Sequence, residues 1–116
     1  MPHYPKTEFS AYQLTPHVLE KLGDNFDMVV NTTSLGMTPH VDTWAWFESV
    51  PFPHAIMFDL VYNPQKTRFL RQAEHANLPI INGISMLVYQ GAKAFELWTG
   101  YDAPIDVMFM AVKENL

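Results

Sequence analysis

Ala55-Ile56-Met57-Phe58-Asp59-Leu60-Val61 is the stretch whose reading decides the fold. Apolar residues run through it without polar alternation, broken only by one aspartate, which is the pattern of a strand buried on both faces in a parallel sheet. Upstream, Asp27-Met28-Val29-Val30-Asn31 is a run of the same kind, and downstream Leu78 to Ile81 is a shorter one. Helix signals lie between and around them. Thr15-Pro16 offers a capping hydroxyl and a proline at the first helical position, then Val18, Leu19 and Leu22 form a face and Gly23 stops it. Asn63-Pro64 predicts a second helix start, with Phe69, Leu70, Ala73 and Ala76 inward and Asn77 as a left-handed end. A last helix from Pro104 places Ile105, Met108, Phe109 and Val112 on one stripe. This alternation predicts an α/β fold with a parallel sheet of about three strands, followed by C-terminal helices. Residues 1–14 show no period and read as an irregular lead-in or the remnant of a strand.

Composition narrows the class. The 116 residues suit one domain, and 48% hydrophobic with 14% aromatic content excludes disorder. No apolar run approaches the ~18 residues of a membrane span, so no membrane partner is expected. Met1 to Lys6 lacks the apolar core of a secretory signal. With no cysteine in the chain, disulfides and thiolate chemistry are excluded, and a cytoplasmic setting fits. A formal charge of −5 without a basic cluster argues against a nucleic-acid partner. His3, His17, His40, His54 and His75 show no helical pairing at the spacing of one turn, so no metal site is expected. The segment from Thr32 to about Pro53 is long for a loop; its Trp44, Trp46 and Phe47 either wall a ligand or pack the loop down.

Ile84 to Gly100 reads as an apolar helix, at about 100° per residue placing Ile84, Leu87, Val88, Gly91, Ala94, Phe95 and Trp98 on one stripe. Gly91 and Ala94 thin that stripe enough for another backbone to approach. Gln90 lies to one side. Its amide either serves a neighbouring loop or offers a donor and an acceptor to a hydroxylated ligand.

Parallel α/β sheets bind ligands beyond the carboxyl ends of their strands, and those ends carry the unusual residues here. The first strand leads into Asn31-Thr32-Thr33-Ser34-Leu35-Gly36-Met37, the second into Asp59-Leu60-Val61-Tyr62-Asn63-Pro64, the third into Asn82-Gly83-Ile84-Ser85-Met86. Each has an ordinary explanation, since hydroxyls satisfy turns, Asn-Pro starts helices, and Asp59 can end its strand on turn amides. Together they gather neutral hydrogen-bonding groups and a phenol at one edge. That chemistry suits a polyhydroxylated ligand or a ring such as nicotinamide better than a bare phosphate.

With Thr67, then Met86-Leu87-Val88-Tyr89-Gln90-Gly91-Ala92, Phe95, Trp98-Thr99-Gly100 and Pro104, these motifs resemble the shikimate dehydrogenases in order and spacing, from about Asp24 onward. The matching part is the family's C-terminal nucleotide-binding domain. The resemblance implies the second half of a Rossmann-like doubly wound parallel sheet, residues 1–116 forming a single partial domain with helices that return to a catalytic domain. It implies an enzyme that interconverts 3-dehydroshikimate and shikimate with NADP, NAD not being excluded. Carried over by position, Asn31, Thr32, Thr33, Ser34, Leu60, Gly83 and Met86 border the cofactor near its nicotinamide. Tyr62 and Gln90 correspond to the family's substrate-contacting tyrosine and glutamine.

The family's glycine-rich pyrophosphate turn has no counterpart among Gly23, Gly36, Gly83, Gly91 and Gly100. Its Asn-Arg-Thr segment and its catalytic lysine–aspartate pair have none either. No catalytic residue is therefore assigned to this chain, which is expected to be an inactive fragment on its own, associating with copies of itself and lacking an N-terminal catalytic domain. Two functional alternatives stand beside this one. They are a non-catalytic ligand- or partner-binding module of the same fold, and a dehydrogenase of quinate and shikimate that uses NAD.

Overall fold

The computed structural model describes residues 6–116. Residues 1–5, and with them most of the stretch read for a secretory signal, lie outside the described residues. The elements follow the order α1 (Pro16–Leu22), β1 (Met28–Asn31), β2 (Ile56–Asp59), α2 (Arg68–His75), β3 (Ile80–Ile81), α3 (Ile84–Thr99) and α4 (Ile105–Glu114). The sheet is parallel throughout, in the order β1-β2-β3. Each strand is thus laid down on the same side of the one before, as in one half of a doubly wound sheet.

The helix boundaries follow local chemistry. The Thr15 hydroxyl accepts the Val18 N–H at 3.2 Å, and Gly23, at φ 62°, closes α1. Asn77 takes the left-handed conformation expected of it, at φ 59°. Asn63-Pro64, however, does not open α2. The helix starts four residues later because the Thr67 hydroxyl accepts the Leu70 N–H, whereas the Asn63 Oδ1 faces the Thr38 hydroxyl at 3.4 Å instead of capping a turn. Residues 8–14 form no strand, and no described segment pairs with the outer edge of β1.

One core forms where α2 crosses β2 and β3. Met57, Phe69, Leu70 and Ala73 are almost wholly buried there, joined by Trp46, Val50 and Ala55. Burying each of the larger side chains contributes on the order of 1.5–3 kcal/mol. The loop aromatics resolve as packing. The Trp46 indole N–H donates to the Val50 carbonyl at 2.9 Å, and Phe52 stacks edge-on between Trp44 and Phe69. Arg68 lies over the Trp44 ring, held by Glu48 and the Asp42 carbonyl.

The expectation that β1 and β2 are covered on both faces is corrected, Ile56 and Phe58 of β2 being only half-buried. Met28 and Val30 are 46% and 41% exposed, because only the α2 face of the sheet is roofed among the described residues. The α3 stripe is likewise covered only in part: Ile84 and Val88 are buried, together with Ala92 outside the stripe, whereas Phe95 and Trp98 are 37% and 84% exposed. Gly91 faces the end of the Met108 side chain, not another backbone. Ala76, placed inward by its spacing, is exposed at the C-cap of α2. Ile105, Met108, Phe109 and Val112 are the half-buried face of α4 against α3, with Tyr89 and Phe109 in edge-to-face contact.

Candidate functional site

At the carboxyl edge of the sheet, two loops face each other across a cavity of about 420 Å³. Thr32, Thr33, Ser34, Met37 and Thr38 form one wall, and Leu60, Val61, Tyr62 and Asn63 form the other. Parallel pairing sets this up. Asn31 lies opposite Asp59 in the register, so both chains leave the sheet at the same level and diverge into the two walls. The Asn31 carbonyl accepts the Leu60 N–H at 3.2 Å, and the Thr38 N–H donates to the Asn63 carbonyl at 2.9 Å at the rim.

Asn31 borders this cavity without being available to it. Its Nδ2 donates to Asp59 Oδ1 at 3.1 Å and to the Leu35 carbonyl at 3.2 Å. Its Oδ1 accepts from the Thr33 N–H at 3.0 Å and the Thr33 hydroxyl at 2.6 Å. An asparagine amide has two donors and room for two acceptor bonds, so this one is spent on shaping its loop. The side chain is 4% exposed.

Gly83 enters from the third strand end. A Cβ there would lie 2.1 Å from the Leu60 carbonyl oxygen and 2.9 Å from the Val61 carbonyl carbon. Only glycine lets the start of α3 run against the backbone of the second wall, where its N–H donates to the Val61 carbonyl at 3.3 Å. The Asn82 Oδ1 accepts the Ile84 N–H beside it. Met86 and Gln90 follow on α3, both exposed and neither in the cavity lining; Tyr62, 40% exposed, is in it.

Of the residues singled out from sequence, the structure therefore brings Thr32, Thr33, Ser34, Leu60 and Tyr62 together, sets Gly83 behind the second wall, and leaves Met86 and Gln90 outside. Met37, Thr38, Val61 and Asn63 were not anticipated as lining. For Thr38 the link is a long-range bond to Asn63, which leaves no local pattern; Met37, Val61 and Asn63 were in plain view within the motifs.

Among the described residues, no lysine, arginine or carboxylate lines the cavity. It is lined by four hydroxyls, a phenol and an amide beside apolar residues, with the Thr33 hydroxyl held by Asn31 and the Leu35 N–H and the Thr38 hydroxyl facing Asn63, a surface for a neutral flat group with hydrogen-bonding substituents. The perturbed titration lies elsewhere. Asp24 is held below its usual range by the His54 backbone N–H and then by the His54 ring, at the opposite, amino end of the strands.

Comparison with known proteins sets the chain beside one enzyme family. The family model for the shikimate 5'-dehydrogenase C-terminal domain matches residues 83–113. The shikimate dehydrogenase (NADP(+)) of Methanosarcina barkeri is 44% identical over 98 residues, covering 84% of this chain and 35% of that protein. The shikimate 5-dehydrogenase of Thermus thermophilus, crystallised with NADP(H) and shikimate, superposes with a TM-score of 0.75 at 35% identity, covering 84% of this chain and 37% of that one. Quinate dehydrogenase of Corynebacterium glutamicum, crystallised with NAD, gives a TM-score of 0.74 at 27% identity, covering 85% and 35%. The chain thus spans about a third of the length of the relatives it matches. By sequence and by fold, it is homologous to the C-terminal part of the shikimate dehydrogenases.

Proposed function

We infer that this chain forms the nicotinamide side of the cofactor cleft in an NADP-dependent shikimate dehydrogenase, which reversibly reduces 3-dehydroshikimate to shikimate. The observation that carries the reading is the neutral cavity between the loops after β1 and β2, built from the segments that match the family in order. The lining fits a nicotinamide: hydroxyls and backbone groups for its carboxamide, Leu60 and Met37 for its ring, and no cation that a phosphate would call for. When bound, NADP supplies the hydride. Thr32, Thr33, Ser34 and Leu60 would hold its nicotinamide end, Gly83 and Met86 would border it from the start of α3 outside the cavity lining, and Asn31 would act through the loop it shapes. Tyr62 and Gln90 would hold the substrate. The proton shuttle and the pyrophosphate turn belong to segments outside these motifs, supplied by an N-terminal catalytic domain and the first half of the nucleotide-binding domain, in a cytoplasmic enzyme.

A second reading, a quinate dehydrogenase using NAD, draws on the comparable superposition of the Corynebacterium enzyme. One assay separates the two. The full-length protein carrying this chain is given shikimate or quinate with NADP or NAD, and steady-state rates are compared. Preference for shikimate and NADP supports the first reading. Preference for quinate and NAD transfers it to the second, and no turnover with any pair refutes both in favour of a non-catalytic module. The 116-residue chain by itself is expected to show no turnover.

A further inference from the structure

The two cavity walls are separate loops, and a line of buried side chains runs beneath them. Asp59 is wholly buried, at 0% exposure, and Thr67 is at 1%. Asp59 Oδ1 accepts from Asn31 Nδ2 at 3.1 Å and from the Val61 N–H at 3.0 Å, so one oxygen touches both walls. Asp59 Oδ2 accepts the Thr67 hydroxyl proton at 2.6 Å. The same hydroxyl accepts the Leu70 N–H at the start of α2, which fixes its direction. A Cβ on Gly36, in the first wall, would lie 3.5 Å from the Thr67 Cβ, so Thr67 packs directly beneath that loop. Every buried side-chain polar atom among the described residues has a partner.

We propose that Asp59 and Thr67 are positioning residues for the cofactor cavity, an assignment that rests on the reading above. Thr67 orients the Asp59 carboxyl, and Asp59 sets the spacing of the walls through Asn31 on one side and the Val61 N–H on the other. Stability alone does not account for this arrangement. Replacing all the partners of a buried hydrogen-bonded cluster together by apolar groups of the same shape can be nearly neutral for stability, but apolar side chains cannot dictate where an amide and a backbone N–H must sit.

Asp59→Ala strips three hydrogen bonds from the interior and risks unfolding the protein, so the informative variants are Thr67→Val and Thr67→Ser. Valine keeps the shape and the packing on Gly36 while removing the hydroxyl; serine keeps the hydroxyl. The full-length protein is studied without cofactor by amide hydrogen exchange, then titrated with NADPH by fluorescence. Thr67→Val is expected to speed exchange in residues 32–37 and 60–63, relative to α3, and to weaken NADPH by about threefold to tenfold, while the loss of its bonds to Asp59 and from the Leu70 N–H also lowers overall stability. Thr67→Ser is expected to restore both. Unchanged loop exchange, or acceleration spread evenly over the whole protein with unaltered NADPH affinity, overturns the assignment. A parent protein that binds no NADPH and oxidises no shikimate refutes the functional reading instead, while loop exchange still decides whether Thr67 and Asp59 hold the walls.

Discussion

Replacing Gly83 by alanine tests the close backbone approach behind the second cavity wall. The added Cβ would stand 2.1 Å from the Leu60 carbonyl oxygen, 2.6 Å from its carbon and 2.9 Å from the Val61 carbon. All three are main-chain atoms, so no rotamer change relieves the contact, and the start of α3 must move from the second cavity wall by about 1 Å. Overpacking typically costs ~1–3 kcal/mol, and a clash with no flexible partner belongs at the upper end. At roughly 4 °C per kcal/mol for a domain of this size, the melting temperature is expected to fall by about 12 °C. NADPH affinity should fall as well, because the displaced atoms belong to the wall. Gly91→Ala provides the control. Its Cβ would meet only the flexible end of Met108 at 3.4 Å within a regular helix, so it should stabilise by roughly 0.5–1 kcal/mol through helix propensity. Thermal and urea unfolding of both variants decide the matter. If Gly83→Ala melts within about 2 °C of the parent, or the two variants shift together, the close approach is absent and the reasoning fails.

In the full-length enzyme, Gln90→Ala should lower kcat/KM for shikimate by about threefold to tenfold with an unchanged melting temperature, since the side chain is exposed on α3; a sharp loss of stability with intact kinetics would make Gln90 structural. Asp24 titrates below its ordinary value of 3.8 in the folded chain, so its bonds to His54 stabilise at all pH values above that and are lost as the pH falls through the lower folded value. The stability gap between Asp24→Asn and the parent should accordingly be flat from neutral pH to about pH 5 and close on further acidification, as followed by urea midpoints; a gap that closes near pH 7 contradicts the assignment. The 116-residue chain alone should associate at micromolar concentration, because the outer edge of β1 is unpaired among the described residues and Leu97, Trp98, Tyr101, Val107 and Met110 are exposed. Sedimentation across a dilution series would read this, with Val30→Lys expected to weaken any contribution from the edge; a sharply melting monomer would refute it.

The strands and most helix ends were legible because their signals are local. Pro16, Gly23 and Asn77 act on the backbone within a turn of themselves, and a run such as Ile56–Asp59 needs a sheet wherever it lies. Cover was not legible. Met28 and Val30 look like Met57 in sequence, and only the tertiary arrangement decides which apolar residue has a roof. The start of α2 shows a different limit. Asn63-Pro64 and Thr67 are competing signals a turn apart, and the winner is chosen by a carboxyl group in another element, Asp59.

The cavity shows the same division. Its hydroxyls could be read from Thr32-Thr33-Ser34, but Asn31, beside them in sequence, has a different task. A parallel register places it against Asp59, and once its four hydrogen bonds are made there is nothing left to offer a ligand. A polar residue at a strand's carboxyl end therefore has two possible meanings, contact with a ligand or control of the loop that makes the contact. Burial separates them here: Asn31, Asp59 and Thr67 are sealed and hydrogen-bonded, whereas Thr32, Ser34 and Tyr62 remain open to the cavity, and Thr33 lines it while its hydroxyl is held by Asn31 and the Leu35 N–H. Recognition and shape are thus divided between neighbours one residue apart. A change at Asn31 should deform the first wall, whereas a change at Thr32 should alter only what that wall can hold.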